Sequence, residues 1–223
     1  VYDLTQFTDV VEFNDIEAVK AKLASGEFAC VLTEPALTNC GMVLPQPDFL
    51  RELRQACNDT DTLLIFDETH TISAGYAGYT GICREQDGFL PDMIIAGKAI
   101  AGGIPCAVYG MSAKIAQRAR AAKEAAPAGH SGIGTTLSGN MLTMALLAAN
   151  LTEVATPPAF DTMLTRQTQL ATGTHSLIAT NRLPWSLTQL HTHRKFQTCA
   201  PSPNTGTEPY PPIAADHARQ VNT

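Results

Sequence analysis

The stretch LLIFDETHT, residues 63–71, sets four apolar residues ahead of Asp67 and Glu68, with His70 two positions further on. An apolar run this short, beginning at Thr62 and unbroken by polar residues, reads as a strand buried in a sheet covered on both faces. Two acids at the end of such a strand can serve two chemistries. They can hold magnesium and a nucleotide, as the second motif of a P-loop NTPase or the Asp-Glu-x-His box of a helicase does. They can also keep a proton on the ring nitrogen of an organic cofactor. The rest of the chain has to separate these.

The nucleotide reading lacks its partners. A phosphate loop needs G-x-x-x-x-G-K-[ST], whose backbone amides wrap the phosphates. The single Gly-Lys pair is Gly97-Lys98, followed by Ala99, without the earlier glycine and downstream of the acids. The net charge is −6, whereas a nucleic-acid surface carries a basic excess. Lys114, Arg118, Arg120 and Lys123 are the one basic cluster, and they read as the solvated face of a helix.

The chain alternates strand and helix. FACVLTEP (28–35) is an apolar run closed by proline. PDFLRELRQACND (47–59) spaces Phe49, Leu50, Leu53 and Cys57 as one face of a helix. DMIIAG (92–97) and CAVYG (106–110) are further strands, and SAKIAQRARAAKEAA (112–126) is a helix. A Gly-rich stretch (129–139) cannot be regular. Ser138 is placed to cap a helix over 139–154, and Pro158 to start another over 158–180. The pattern predicts an α/β sheet. Beyond 180 the signal fades, and 200–223, with five prolines, reads as irregular.

Hydrophobic residues are 44% and charged residues 16% of 223, enough for a sizeable core in one domain or one and a half. No apolar run approaches the roughly 20 residues of a membrane helix, which predicts no membrane partner. The six cysteines form no Cys-x-x-Cys pair and read as small apolar residues in a reducing compartment. His191 and His193 have no acid or cysteine set beside them, so no metal site is predicted. The chain opens on Val1 within what reads as a domain, so a fragment is expected.

Lys98 favours the organic cofactor. Pyridoxal phosphate enzymes need a lysine amine for the Schiff base and an acid on the pyridine nitrogen. Asp67 follows one apolar strand and Lys98 follows another, 31 residues later. In an α/β sheet, groups just past strand ends converge on one crevice. Glycines at 97, 102 and 103 would let the backbone pass close to a flat ring. Taken singly these residues carry little: an aspartate there reads as a loop acid, a lysine as an exposed loop residue.

Three segments in order, TEPALTNCGMVLPQPDFLRELRQACNDTDTLLIFDETHT (33–71), PDMIIAGKAIAGGIPCAVYG (91–110) and GTTLSGNMLTMA (134–145), resemble the class III aminotransferases. The glutamate-1-semialdehyde aminomutase-like branch is similar. The resemblance runs from Phe28 to Glu153. It implies the fold-type I large domain, a mixed, mostly parallel sheet with helices on both faces, in 1–153. It implies the start of a small C-terminal domain with an irregular tail in 154–223, and an incomplete domain at both ends. It implies pyridoxal 5′-phosphate, with Lys98 as the Schiff-base lysine and Asp67 as the ring acid. His70 falls beside the cofactor's phenolic oxygen, where the family often has glutamine. Thr69 falls on the ring face, where the family usually has valine. Thr136, or Thr135 beside it, matches the residue that binds the phosphate of a neighbouring subunit, which implies a homodimer. Glu34 and Glu68 read equally as acids supporting the site or as structural acids on backbone amides. The family's phosphate cup and ring-stacking aromatic are not found in 1–27.

The expected activity is transamination between an amino donor and a carbonyl acceptor in the cytoplasm. An aminomutase, decarboxylase or racemase on the same fold, or a truncated chain without activity, remain alternatives.

Overall fold

A computed structural model describes residues 6–127, 129, 134, 136–198 and 202–207. Helix α1 (Ile16–Leu23) starts where the Asp15 carboxylate accepts the Ala18 amide at 2.9 Å. Strand β1 (Cys30–Thr33) leads to helix α2 (Phe49–Asp59), and strand β2 (Leu63–Asp67) follows. Helix α3 (Gly78–Asp87) precedes strands β3 (Met93–Ala96) and β4 (Val108–Met111). Helices α4 (Ala113–Ala125), α5 (Met141–Ala149) and α6 (Pro157–Thr180) then lead to strands β5 (Ser186–Leu190) and β6 (His193–Gln197).

The main sheet has the order β1-β2-β3-β4; the first two pairings are parallel and β3–β4 is antiparallel. Leu64 and Phe66 point to one face and are wholly buried with Leu53 and Cys57 of α2. The helical face read from the sequence is therefore the buried one. Each such side chain stabilises the fold by about 1.5–3 kcal/mol relative to exposure. On the opposite face Leu63 and Ile65 are half-buried, and Cys30 and Leu32 are exposed. Cys30 thus departs from the buried role expected of it, whereas Cys57 and Cys83 keep that role. Asp92 joins the layers: one carboxylate oxygen accepts from Arg54 Nη1 at 2.7 Å and from the Leu64 amide at 2.9 Å.

Three elements differ from the sequence reading. Helix α5 is capped by Asn140, whose side chain accepts the Thr143 amide at 2.9 Å, and not by Ser138, which lies in the preceding turn. The α-helix ends at Ala149 and continues as a π-turn, Asn150–Val154. The β5–β6 hairpin occupies the region where the sequence signal fades. Its two-residue turn, His191-Thr192, lacks the usual Asn-Gly signature, and His191 takes φ +49° without being glycine. The four basic residues of α4 are exposed, as expected. Of the irregular tail, 202–207 is described: the Gly206 amide donates to Glu12 Oε1 at 2.7 Å, and Asn14 Nδ2 donates to the Asn204 carbonyl at 2.8 Å. Thr135, Cys199 and most of the tail lie outside the described residues. Among the described residues no helix is long and apolar enough to cross a membrane.

Candidate functional site

Strands β2 and β3 run side by side with Asp67 opposite Ile95, and the Glu68 amide donates to the Ile95 carbonyl at 2.8 Å. Both chains therefore leave the sheet at one edge. A Cβ added to Gly97 would stand 3.5 Å from Thr69 Cγ2, so the two exit loops approach closely there. Asp67 ends one strand, and Lys98 lies two residues past the end of the other. The predicted convergence is in place.

Asp67 is half-buried and its orientation is fixed locally. Oδ1 accepts the Thr69 amide at 2.8 Å and also the Thr69 hydroxyl. Among the described residues Asp67 Oδ2 accepts no hydrogen bond, and Lys98 Nζ has neither hydrogen bond nor ion pair. A carboxylate oxygen and a primary amine, unclaimed by protein and set on adjacent strand ends, are the donor set that a pyridinium nitrogen and an aldehyde carbon require. The residues present fit pyridoxal phosphate at those two positions. Thr69 approaches Gly97 and steers Asp67, so its observed contacts orient the acid.

His70 faces away from simple isolation. Its Nδ1 is bonded to the Thr38 hydroxyl, and that hydroxyl donates to Glu34 Oε2 at 2.5 Å. A hydroxyl has one proton, so with Glu34 as acceptor the Nδ1 must carry the hydrogen. Glu34 thus acts on His70 through Thr38, not on backbone amides. Lys195 Nζ of β6 reaches the Thr38 carbonyl at 3.0 Å, which ties the hairpin to the same loop. Sequence reasoning missed Thr38 and Lys195. Thr38 has no signal beyond its four-residue distance from Glu34, and Lys195 lies on a hairpin that carries no turn motif. Thr136 is exposed in the turn before α5 and makes no hydrogen bond to Asp67, Thr69, His70 or Lys98.

Glu68 belongs to the fold. It is wholly buried, and its two oxygens accept the Tyr79 and Thr80 amides, each at 2.7 Å, with the Thr71 hydroxyl at 3.2 Å. It caps α3 from ten residues upstream. Gly78 must be glycine here: φ is +67°, and a Cβ would lie 2.7 Å from Glu68 Oε2. Glu68→Ala should leave two part-buried amides without their acceptor, at up to about 1–3 kcal/mol each. Urea unfolding of the two chains measures the loss; a change below about 0.5 kcal/mol would remove Glu68 from this role.

The hairpin also carries a proton-sensitive contact. His193 Nε2 and the Ser73 hydroxyl are 2.9 Å apart. Burial, and next the nearby His70, push the His193 pKa down, while a bond to Ser73 pulls it up. The folded state therefore binds this proton later than the unfolded chain does as pH falls. Buried as the neutral ring, His193 makes its full contribution to stability above the ordinary histidine value of about 6.5, and that contribution declines below it. Thermal melts across about pH 5–8 should lose slope in His193→Gln; an unchanged slope would contradict the assignment.

Comparison with known proteins shows what the chain is similar to. The matching family description is Aminotransferase class-III, over residues 4–180. A glutamate-1-semialdehyde 2,1-aminomutase of Roseiflexus castenholzii is 39% identical over 164 residues, 72% of this chain and 36% of that protein. The crystal structure of a glutamate-1-semialdehyde aminomutase from Pseudomonas aeruginosa PAO1 superposes with TM-score 0.82 at 42% identity, covering 90% of this chain and 44% of that one. A single-residue variant of that enzyme was solved in complex with PMP. A β-phenylalanine aminotransferase from Variovorax paradoxus superposes with TM-score 0.78 at 27% identity, covering 96% and 47%. The chain thus spans less than half the length of each.

Proposed function

The chain belongs to the class III aminotransferases, and from that premise we propose that it moves an amino group between small molecules with Lys98 and Asp67 as its reacting groups. The cofactor that the family and the PMP-bound neighbour indicate is pyridoxal phosphate. The single observation that carries the residue roles is the pairing of an unclaimed amine and an unclaimed carboxylate oxygen on adjacent strand ends. When bound, the cofactor supplies a sink for the electron pair left when a substrate carbon loses its proton.

The protein's own residues divide the remaining work. Lys98 Nζ would be the amine that holds the cofactor's aldehyde carbon. The same amine, as a free base, would take the proton from the substrate carbon and return it to the carbon where the product requires it. Asp67 Oδ2 would accept the ring N–H and keep that proton in place, while Oδ1 is held by the Thr69 amide and hydroxyl, which fixes the carboxylate's orientation. His70, fixed through Thr38 and Glu34, is proposed to contact the ring oxygen. Thr136 is proposed to reach the phosphate site of a second copy, as part of a cytoplasmic homodimer. Residues 1–153 would then be part of the cofactor-binding domain, and 154–223 the beginning of a smaller one.

Transamination between an amino donor and a carbonyl acceptor is the first reading. A second, amino transfer within one molecule, is favoured by the aminomutase names of the relatives at 39% and 42% identity. The test adds pyridoxal phosphate and follows visible absorbance, then product formation from single amino-carbonyl compounds and from donor–acceptor pairs. Isomerisation of one compound without an acceptor supports the mutase; dependence on a pair supports transamination. A colourless chain that acts on neither would refute both.

A further inference from the structure

The lysine at the proposed reacting position sits on a strained turn. Lys98 has φ +52°, a left-handed conformation that a side chain bearing Cβ disfavours. It opens a short 3₁₀ turn, Lys98–Ala101, whose own closure is weak: the Gly102 amide reaches the Ala99 carbonyl at 3.4 Å, and Gly97 supplies no side-chain cap. Strain of this kind persists only where the surroundings over-determine it.

The surroundings that do so come from 50 residues away. Asn150 Nδ2 donates to the Ala99 carbonyl at 3.0 Å and to the Ile100 carbonyl at 2.9 Å. Both hydrogens of one amide are thus spent on the two carbonyls that follow Lys98. Asn150 stands where α5 gives way to its π-turn, and the Ala155 amide closes that wider turn on the Asn150 carbonyl at 2.8 Å. Such local widening of a helix often accompanies a functional site. Ile100 and Ala101 are buried, so the anchored turn is fixed on its far side too.

We propose that Asn150 is the positioning residue for Lys98. It holds the backbone of the turn so that the otherwise unpartnered amine starts from one place. This rests on the role of Lys98 given above. Asparagine suits the task because its amide offers two donors; aspartate of the same size would present only acceptors to two carbonyls.

The variants are Asn150→Asp and Asn150→Ala, each also made with Lys98→Gly. In the protein without added cofactor, amide exchange at 98–104 should accelerate at least tenfold in Asn150→Asp, with α2 and β2 unchanged. In the Lys98→Gly background the same substitution should accelerate it less, because glycine adopts φ +52° unaided. With pyridoxal phosphate added, borohydride trapping at Lys98 should have a rate constant lower by on the order of ten- to a hundredfold, the effect of a small misplacement. The cofactor concentration giving half-maximal rate should not move. Acceleration spread over the whole sheet, equal effects in both backgrounds, or an unaltered trapping rate would each overturn the proposal. If the parent chain itself takes up no cofactor, the function proposed above fails, and the two exchange comparisons still decide whether Asn150 holds the Lys98 turn.

Discussion

Replacing Lys98 with alanine should abolish covalent attachment of the cofactor and lower turnover by at least about 10³-fold. Two roles would be lost together: the covalent hold and the proton transfer at the substrate carbon, which alone contributes on the order of 10²–10⁴-fold. The fold should not suffer. Lys98 is exposed and has no hydrogen-bonded or ionic partner among the described residues, and surface changes of this kind fall within about ±0.5 kcal/mol. The alanine also inherits the same unfavourable φ +52°, so no strain is relieved. The combination is diagnostic: unchanged melting, no borohydride-fixed cofactor, no turnover. An added small amine should restore part of the lost proton transfer without restoring the covalent hold. Finding the cofactor fixed on Lys114 or Lys123 of the parent chain, or turnover of Lys98→Ala within tenfold of it, would move the reaction elsewhere.

What the sequence revealed, and what it hid, follow from the range of the interactions involved. The strands at 30–33, 63–67 and 93–96 were legible because each is a short run of consecutive, mostly apolar residues, although Cys30 and Leu32 of the first are exposed rather than covered. The convergence of Asp67 and Lys98 was legible because parallel strands must leave a sheet at the same edge. The role of Glu68 stayed open between two readings, since its partners are amides eleven and twelve residues downstream and its neighbour is a second acid. Helix α3 was missed for the same reason. It starts at a glycine, and its cap is a side chain from outside the segment. The Asn150 clamp spans 50 residues, and nothing local to either end announces it. The hairpin at 186–197 uses threonine, glutamine and histidine around a turn without glycine, so neither periodicity nor turn chemistry marks it. Ser138 and Asn140 are both good caps; only the position of the first helical residue chooses between them.

The second large effect belongs to Asp67→Asn, and it returns to the two adjacent acids. Successive side chains on a strand point to opposite faces, and the structure divides the pair accordingly. Glu68 is spent on the amides of α3, while Asp67 Oδ2 accepts no hydrogen bond among the described residues. Asparagine preserves the shape and the carbonyl oxygen, so the bonds from the Thr69 amide and hydroxyl can survive and the chain should fold as before. What changes is the group presented to the ring nitrogen. A carboxylate accepts an N–H and stabilises its positive charge; an amide turned with its oxygen to Thr69 presents a donor, which favours the nitrogen without its proton. A hydrogen bond to a charged group is worth about 1.5–3 kcal/mol, so cofactor affinity should fall roughly tenfold to a hundredfold or somewhat more. Turnover should fall further, because a ring lacking that proton is a poorer sink at the step where charge develops. Calorimetric titration with pyridoxal phosphate and turnover at saturating cofactor separate the two losses, and melting verifies the fold. Wild-type turnover in the variant would exclude Asp67 as the ring acid. Because Glu68 is already committed to α3, it could not take the role over without unfolding that helix's first turn.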